Sequence, residues 1–382
     1  MRATPFRSFV LKLHARCNLR CDYCYVYEMA DQGWRSLPRV VTRETIDAAA
    51  LRIAEHTAAH GTHDVDIVFH GGEPLLAGPE LIAYAVTAIR TALRPGTMAR
   101  FSIQTNGLLL REQFLELFGK LDVLVGLSLD GDAEMHDRHR RHAGGQGSYR
   151  QAAAAAARLR GHRVFGGILS VIDLRNDPVR TYESLLRFSP PIIDFLLPHG
   201  NWSAPPPGRP AADAGAPYGD WLIAVFDRWY TAAAKETGIR LFEEIMNLLL
   251  GGTSRSEVIG LSPVAVAVIE TDGGIAHSDV LTAAYPGAGA TGLNVAGDPL
   301  DAALLMPAMA ARQAGIRALA AQCSACRIGR VCGGGLYAHR YRAGSGFRNP
   351  SVYCRDLYRL ITHVRDRLVA DLRPGRRDGA RL

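Results

Sequence analysis

No stretch of this 382-residue chain is both long and uncharged enough to cross a bilayer, because charged residues interrupt every apolar run. The opening residues also lack the apolar run followed by small residues that marks a secretory signal. A cytoplasmic protein without membrane contact is therefore expected. Strong charge bias is missing too. The net charge is +7, with arginines spread along the chain and local groups at Arg138, Arg140, Arg141 and from Arg365 to Arg381. We read these as a solvated surface and a frayed basic tail, with no nucleic-acid partner expected, although a basic face also suits an acidic peptide. Cysteine is absent from the whole middle of the chain. Seven are present, and none lies between Cys24 and Cys323. An odd number in a reducing compartment argues against a disulfide framework, and clustered spacing argues for metal.

What is present is ample core material, 48% hydrophobic against 21% charged, enough for a large domain and a smaller one. Strand-like and helix-like segments alternate through the first half. Strands are expected at Phe9–Leu13, Val65–Phe69, Phe101–Gln104, Val123–Leu129, Val164–Ile172 and Ile192–Leu197, with helices over 42–60, 81–93, 114–118 and 151–159. This order implies an α/β fold with a parallel sheet, whose working groups sit at the carboxyl ends of strands. Ala204 to Pro217 reads as a flexible linker, and a small loop-rich region follows from about 255 to 360.

Cys17, Cys21 and Cys24 follow the first strand with C-x3-C-x2-C spacing. Three thiolates can hold three irons of a cubane cluster and leave the fourth open to another ligand. Zinc is the alternative, with His14 as the local fourth donor.

The run Cys17-Asn18-Leu19-Arg20-Cys21-Asp22-Tyr23-Cys24 resembles the signature of the radical S-adenosylmethionine (SAM) superfamily. The resemblance extends through Gly71-Gly72-Glu73-Pro74, Gln104-Thr105-Asn106-Gly107 and Ser128-Leu129-Asp130-Gly131. It implies a partial (β/α)6 barrel over residues 1–240, a [4Fe–4S] cluster on the three cysteines, and reductive cleavage of SAM to a 5′-deoxyadenosyl radical. It also places Tyr23 near adenine and the turn at Gly71, Gly72, Glu73 and Pro74 at the methionine amino group. Gln104, Asn106 and Ser128 are further candidates for SAM contact. Asp130 either binds substrate or caps the turn before Asp132. His70 reads as a packed histidine.

Cys323, Cys326, Cys332 and Cys354 supply a second set of four thiols. A zinc knuckle is one reading. The pattern also resembles the SPASM extension of radical SAM peptide maturases, assigned here to residues 241–364 with a basic tail at 365–382. Leu336 stands where that pattern has another cysteine, so the resemblance implies one auxiliary [4Fe–4S] cluster rather than two. Gly292-Leu293-Asn294-Val295, Cys332-Gly333-Gly334-Gly335 and Asn349-Pro350-Ser351-Val352-Tyr353-Cys354 look like the FxsB-type branch. That resemblance implies a ribosomal precursor peptide as substrate, and a cyclophane linking an aromatic ring to the β-carbon of a nearby residue. Asp130, Glu270, Asp272, Tyr337 and His339 are candidate general bases, and flavodoxin or ferredoxin is the expected electron donor. The rivals are a thioether-forming maturase, an anaerobic sulfatase maturase and a non-catalytic metal-binding scaffold. The missing cluster argues against the sulfatase maturase.

Overall fold

The computed structural model describes residues 3–209, 215–254 and 256–372. Strands β1 (Ser8–His14), β2 (Asp64–Gly71), β3 (Met98–Thr105), β4 (Val123–Ser128), β5 (Phe165–Val171) and β6 (Ile192–Leu196) lie side by side in that order, all parallel. Helices α1 (Arg43–His60), α2 (Pro79–Ala92), α3 (Glu112–Leu121), α4 (Ala133–Asp137), α5 (Tyr149–Leu159) and α6 (Pro178–Leu186) run between them. This is the parallel sheet expected from the strand–helix alternation, with the six strand–helix units that the resemblance implies for a partial barrel.

Side chains alternate across each strand, and here both faces are used. Val65, Ile67 and Phe69 of β2 and Phe101 and Ile103 of β3 are fully buried in the main core. The opposite face carries His70, Gln104 and Ser128 to the cavity described below. A strand that buries one face under helices therefore delivers its polar residues to a shared interior.

Helix α6 was not anticipated. Its start is nonetheless written in Asp177-Pro178, since the Asp177 side chain accepts from Arg180 N at 2.7 Å and proline opens the first turn.

The sheet does not stop where the barrel ends. β7 (Gly238–Ile239) follows α7 (Pro217–Tyr230) and pairs with β6, and α8 (Arg240–Leu249) comes next. β8 (Val266–Ile269) then returns to lie parallel to β1, on the side away from β2. β9 (Gly274–Ala276) and β10 (Ala290–Asn294) extend that edge as antiparallel strands. Short helices α9 (Leu300–Leu304), α10 (Pro307–Gln313), α11 (Ala321–Ser324) and α12 (Gly329–Cys332) lead to the long α13 (Cys354–Leu372).

Two sequence expectations change. The basic tail does not begin at 365, because α13 continues to Leu372 with Leu357, Leu360, Ile361 and Val364 buried along one face; residues 373–382 lie outside the described part. The Pro-rich segment is tied down over its described length: the Tyr218 hydroxyl donates to Pro207 O at 2.7 Å, and Arg209 pairs with buried Asp356. Residues 210–214 of that segment lie outside the described part.

Asp356 also accepts the first amides of α7, Tyr218 N at 3.0 Å and Gly219 N at 3.1 Å, so one carboxylate clamps α7 to α13. Asp356→Ala leaves Arg209 and both amides without their acceptor. It is expected to destabilise the fold by about 3 kcal/mol in chemical denaturation, and a loss below about 1 kcal/mol would count against the clamp.

Candidate active site

The loop after β1 winds through tight turns, with Cys24 N donating to Cys21 O at 3.1 Å and Glu28 N to Cys24 O at 2.8 Å. The Cys17 sulfur accepts from Leu19 N at 3.4 Å and from Asn106 Nδ2 at 3.6 Å, so β1 and the end of β3 meet on one sulfur. Burial pushes the Cys17 thiol up to about 12 and Cys21 to about 11, and it raises Cys24 as well. A thiol that holds its proton so firmly is no free nucleophile, and metal ligation is what deprotonates it.

The sulfurs are also spaced for something larger than one ion. No three of them lie within 4.8 Å of one another among the described residues, whereas tetrahedral zinc with bonds of about 2.3 Å needs sulfurs about 3.8 Å apart. His14 does not complete a zinc set either: its Nδ1 is engaged by the Arg16 backbone at 2.9 and 3.1 Å, and neither of its ring nitrogens forms a group with two cysteine sulfurs within 4.8 Å of one another among the described residues. The trio that does lie within 4.8 Å, His56, His60 and Asp301, suits a cation poorly. His56 Nε2 accepts Phe6 N–H at 2.9 Å, which leaves its proton on Nδ1, 2.5 Å from Asp301.

The three cysteines open onto a cavity of about 390 Å³. Tyr23, Gly71, Gly72, Gln104, Asn106, Ser128 and His339 line it as well, so most of the expected SAM contacts share one space. Gln104 Nε2 donates to Ser128 Oγ at 2.9 Å. Gly72 is required by close approach: a Cβ there would stand 1.9 Å from Tyr27 Oη and 2.4 Å from Arg16 O.

Glu73 is placed differently. It is buried outside the lining, and its carboxylate accepts from Thr105 Oγ1 at 2.7 Å, Asn106 N at 2.8 Å and Leu75 N at 3.0 Å. Burial still pushes it up to about 7 against these donors. The side chain locks the turn to the end of β3, and buried Pro74 begins the next helical turn.

Most of the candidate bases lie elsewhere. Asp130 is outside the lining and buried, taking Arg140 Nε at 2.8 Å, Val171 N at 3.0 Å and the Tyr23 hydroxyl. Burial alone would raise it, but Arg140 and His136 hold it below the usual carboxylate range. Glu270 pairs with buried Lys12 at 2.9 Å. Asp272 accepts Gly274 N in the β8–β9 turn at 2.9 Å. Tyr337 stacks on Phe347 at 4.4 Å and lines a separate void of about 40 Å³. Only His339 of these candidates reaches the cavity.

Residues not anticipated from sequence fill the remaining wall. Arg140, read as surface charge, is buried over the Tyr23 ring and lines the cavity. His70, Tyr25 and His199 line it too, and Tyr25 donates to half-buried Asp279 at 2.7 Å. Asp279 is held ionised against burial by Lys12, His70 and Tyr25. The sequence around Arg140 gave no signal, because Asp130, ten residues upstream, and the Tyr23 ring are brought to it only by the fold.

Cys323, Cys326, Cys332 and Cys354 line a second, more open cavity of about 1050 Å³ beside α7 and α13. Burial pushes the Cys332 thiol up to about 12 and raises Cys323 and Cys354. Gly333 turns left-handed at φ 61°, and a Cβ there would strike Gly260 O at 1.6 Å. The loop is braced by Arg340, which donates to Gly333 O and Gly335 O at 2.6 Å.

Residues 11–185 match the radical SAM superfamily. Across 98% of the chain the protein is 26% identical to the serine-type anaerobic sulfatase-maturating enzyme of Klebsiella aerogenes, covering 88% of it. It is also 26% identical to the cysteine-type enzyme of Clostridium novyi (strain NT), over 69% of this chain and 71% of that one. The fold matches native anSMEcpe with bound AdoMet at a TM-score of 0.79, with 21% identity over 95% of this chain and 98% of that one. Streptococcus suis SuiB bound to precursor peptide SuiA matches at 0.62, with 14% identity over 93% and 77%. The α/β architecture is thus that of the radical SAM/SPASM fold.

Anaerobic reconstitution is expected to load about eight irons per chain, and Cys17→Ala or Cys323→Ala about half of that. Zinc in place of iron, measured by elemental analysis, would contradict the cluster assignment.

Proposed function

We propose that the chain is a radical SAM enzyme of the sulfatase-maturase kind, oxidising one side chain of a peptide or protein substrate. The observation that carries this reading is the pairing of two cysteine cavities. One has three buried thiols beside polar strand ends, and the other has four thiols and no such groups. Cys17, Cys21 and Cys24 would hold the SAM-binding cluster, and Cys323, Cys326, Cys332 and Cys354 a fully ligated auxiliary cluster. When bound, the first supplies one-electron cleavage of SAM to a hydrogen-abstracting radical, and the second accepts an electron.

This chain's residues then have distinct tasks. Tyr23, Gly71, Gly72, Gln104, Asn106 and Ser128 bind SAM, while Glu73 and Pro74 fix the turn. Arg140 offers a buried guanidinium suited to the carboxylate of SAM. The apolar wall of Leu169, Val171, Phe195 and Leu197 excludes water from the radical. Among the described residues no helix is long and apolar enough to cross a membrane.

Sequence motifs ranked a cyclophane product first and weighed the missing cluster against a sulfatase maturase. Similarity along 98% of the chain to a sulfatase-maturating enzyme reverses that order. SAM and peptide occupy the related anSMEcpe bound to AdoMet and Cp18Cys peptide, and we extend both to this chain. The electron donor would be a flavodoxin or ferredoxin.

Reduced holoenzyme incubated with SAM and Cp18Cys peptide should release 5′-deoxyadenosine and leave a carbonyl on the peptide that a hydrazide traps. A peptide lighter by two hydrogens, inert to hydrazide and crosslinked in tandem mass spectra, would restore the cyclophane reading. Absence of deoxyadenosine would refute radical chemistry altogether.

A further inference from the structure

The cavity wall holds acids and imidazoles in different states. Asp194 is paired with Arg240 at 2.9 Å and Glu257 with Arg312 at 2.7 Å. Glu244 is also engaged by a partner. Three imidazoles differ from these. His70 Nδ1, His199 Nδ1 and His339 Nε2 are buried and make no hydrogen bond among the described residues. His70 Nδ1 has the Asp279 carboxylate 3.9 Å away, which leaves His199 and His339. Both rings line the cavity, with centroids 5.5 Å apart. A buried ring nitrogen left without a partner is unfavourable unless something supplies one during function. The separation lets one hydrogen bond or one water join the rings.

We propose that His199 and His339 form the proton-accepting pair of the oxidation, a role that rests on the peptide-oxidising reading above. The substrate carbon, once stripped of a hydrogen atom, gives one electron to an iron–sulfur acceptor on the second cysteine set. It gives the proton on its oxygen or sulfur to the pair, and the carbon–heteroatom bond becomes double.

The surroundings fit. Tyr25 and Asp279 lie on the far side of His199, the Tyr25 ring at 5.0 Å, so a carboxylate offsets the charge that a proton brings. His339 faces His199, Arg340 and the Tyr353 ring at 5.0 Å. Burial holds His199 at about 4, and burial, His199 and Arg340 hold His339 well below its usual value, so both are neutral and ready to accept. A protonated carbonyl is far more acidic than imidazolium, so a weak base is sufficient.

The test is the ratio of deoxyadenosine released to Cp18Cys oxidised by reconstituted, dithionite-reduced enzyme. His199→Gln and His339→Gln should keep cleaving SAM while that ratio rises about tenfold or more, and added imidazole should lower it again. The wild-type ratio should stay flat through the ordinary imidazole range near pH 6.5. His339→Asn repeats the measurement where the Gln variant loads less iron. An unchanged ratio in both positions overturns the pair alone. A wild-type enzyme that makes no deoxyadenosine overturns the peptide-oxidising reading and the pair with it.

Discussion

A thiol removed from water keeps its proton, and cysteines in both sets of this protein are in that condition. Burial pushes Cys17 and Cys332 alike to about 12. Sulfur in such a place becomes a thiolate only once a metal takes the proton's position. The rest of the working end follows from that requirement. The strand ends supply N–H donors toward sulfur, Gly72 and Gly333 let backbone crowd in where a Cβ would collide, and Arg340 braces the glycine run after Cys332.

The two cavities are mechanically one device. Cys332 lines the second cavity, while Leu336 and His339, a few residues further on, line the first. A cysteine of one cavity and two wall residues of the other therefore lie on one short segment. The sheet reinforces this, because β8 from the C-terminal region hydrogen-bonds along β1, the strand that launches the first cysteine loop.

Legibility from sequence followed the range of the interactions. The cysteine spacings, the strand ends and the Gly-Gly-Glu-Pro turn are local patterns, and the structure gathers them on one rim. Arg140 looked like one of several surface arginines, because nothing near it in sequence shows that Asp130 and Tyr23 enclose it. Asp279 and His199 were invisible for the same reason, since Tyr25 lies 254 residues before Asp279. Glu73 was recognised as part of the turn. Its carboxylate nevertheless faces Thr105 and Asn106, an orientation set by tertiary contacts.

The pairing of β1 with β8 has a consequence for biosynthesis. Strand β1 is made first, yet one of its two edges finds no partner until Val266–Ile269 has been synthesised. Throughout that interval the nascent chain carries an unpaired apolar strand whose end is the first cysteine loop. The flank of that loop is therefore closed only after the C-terminal half has been made.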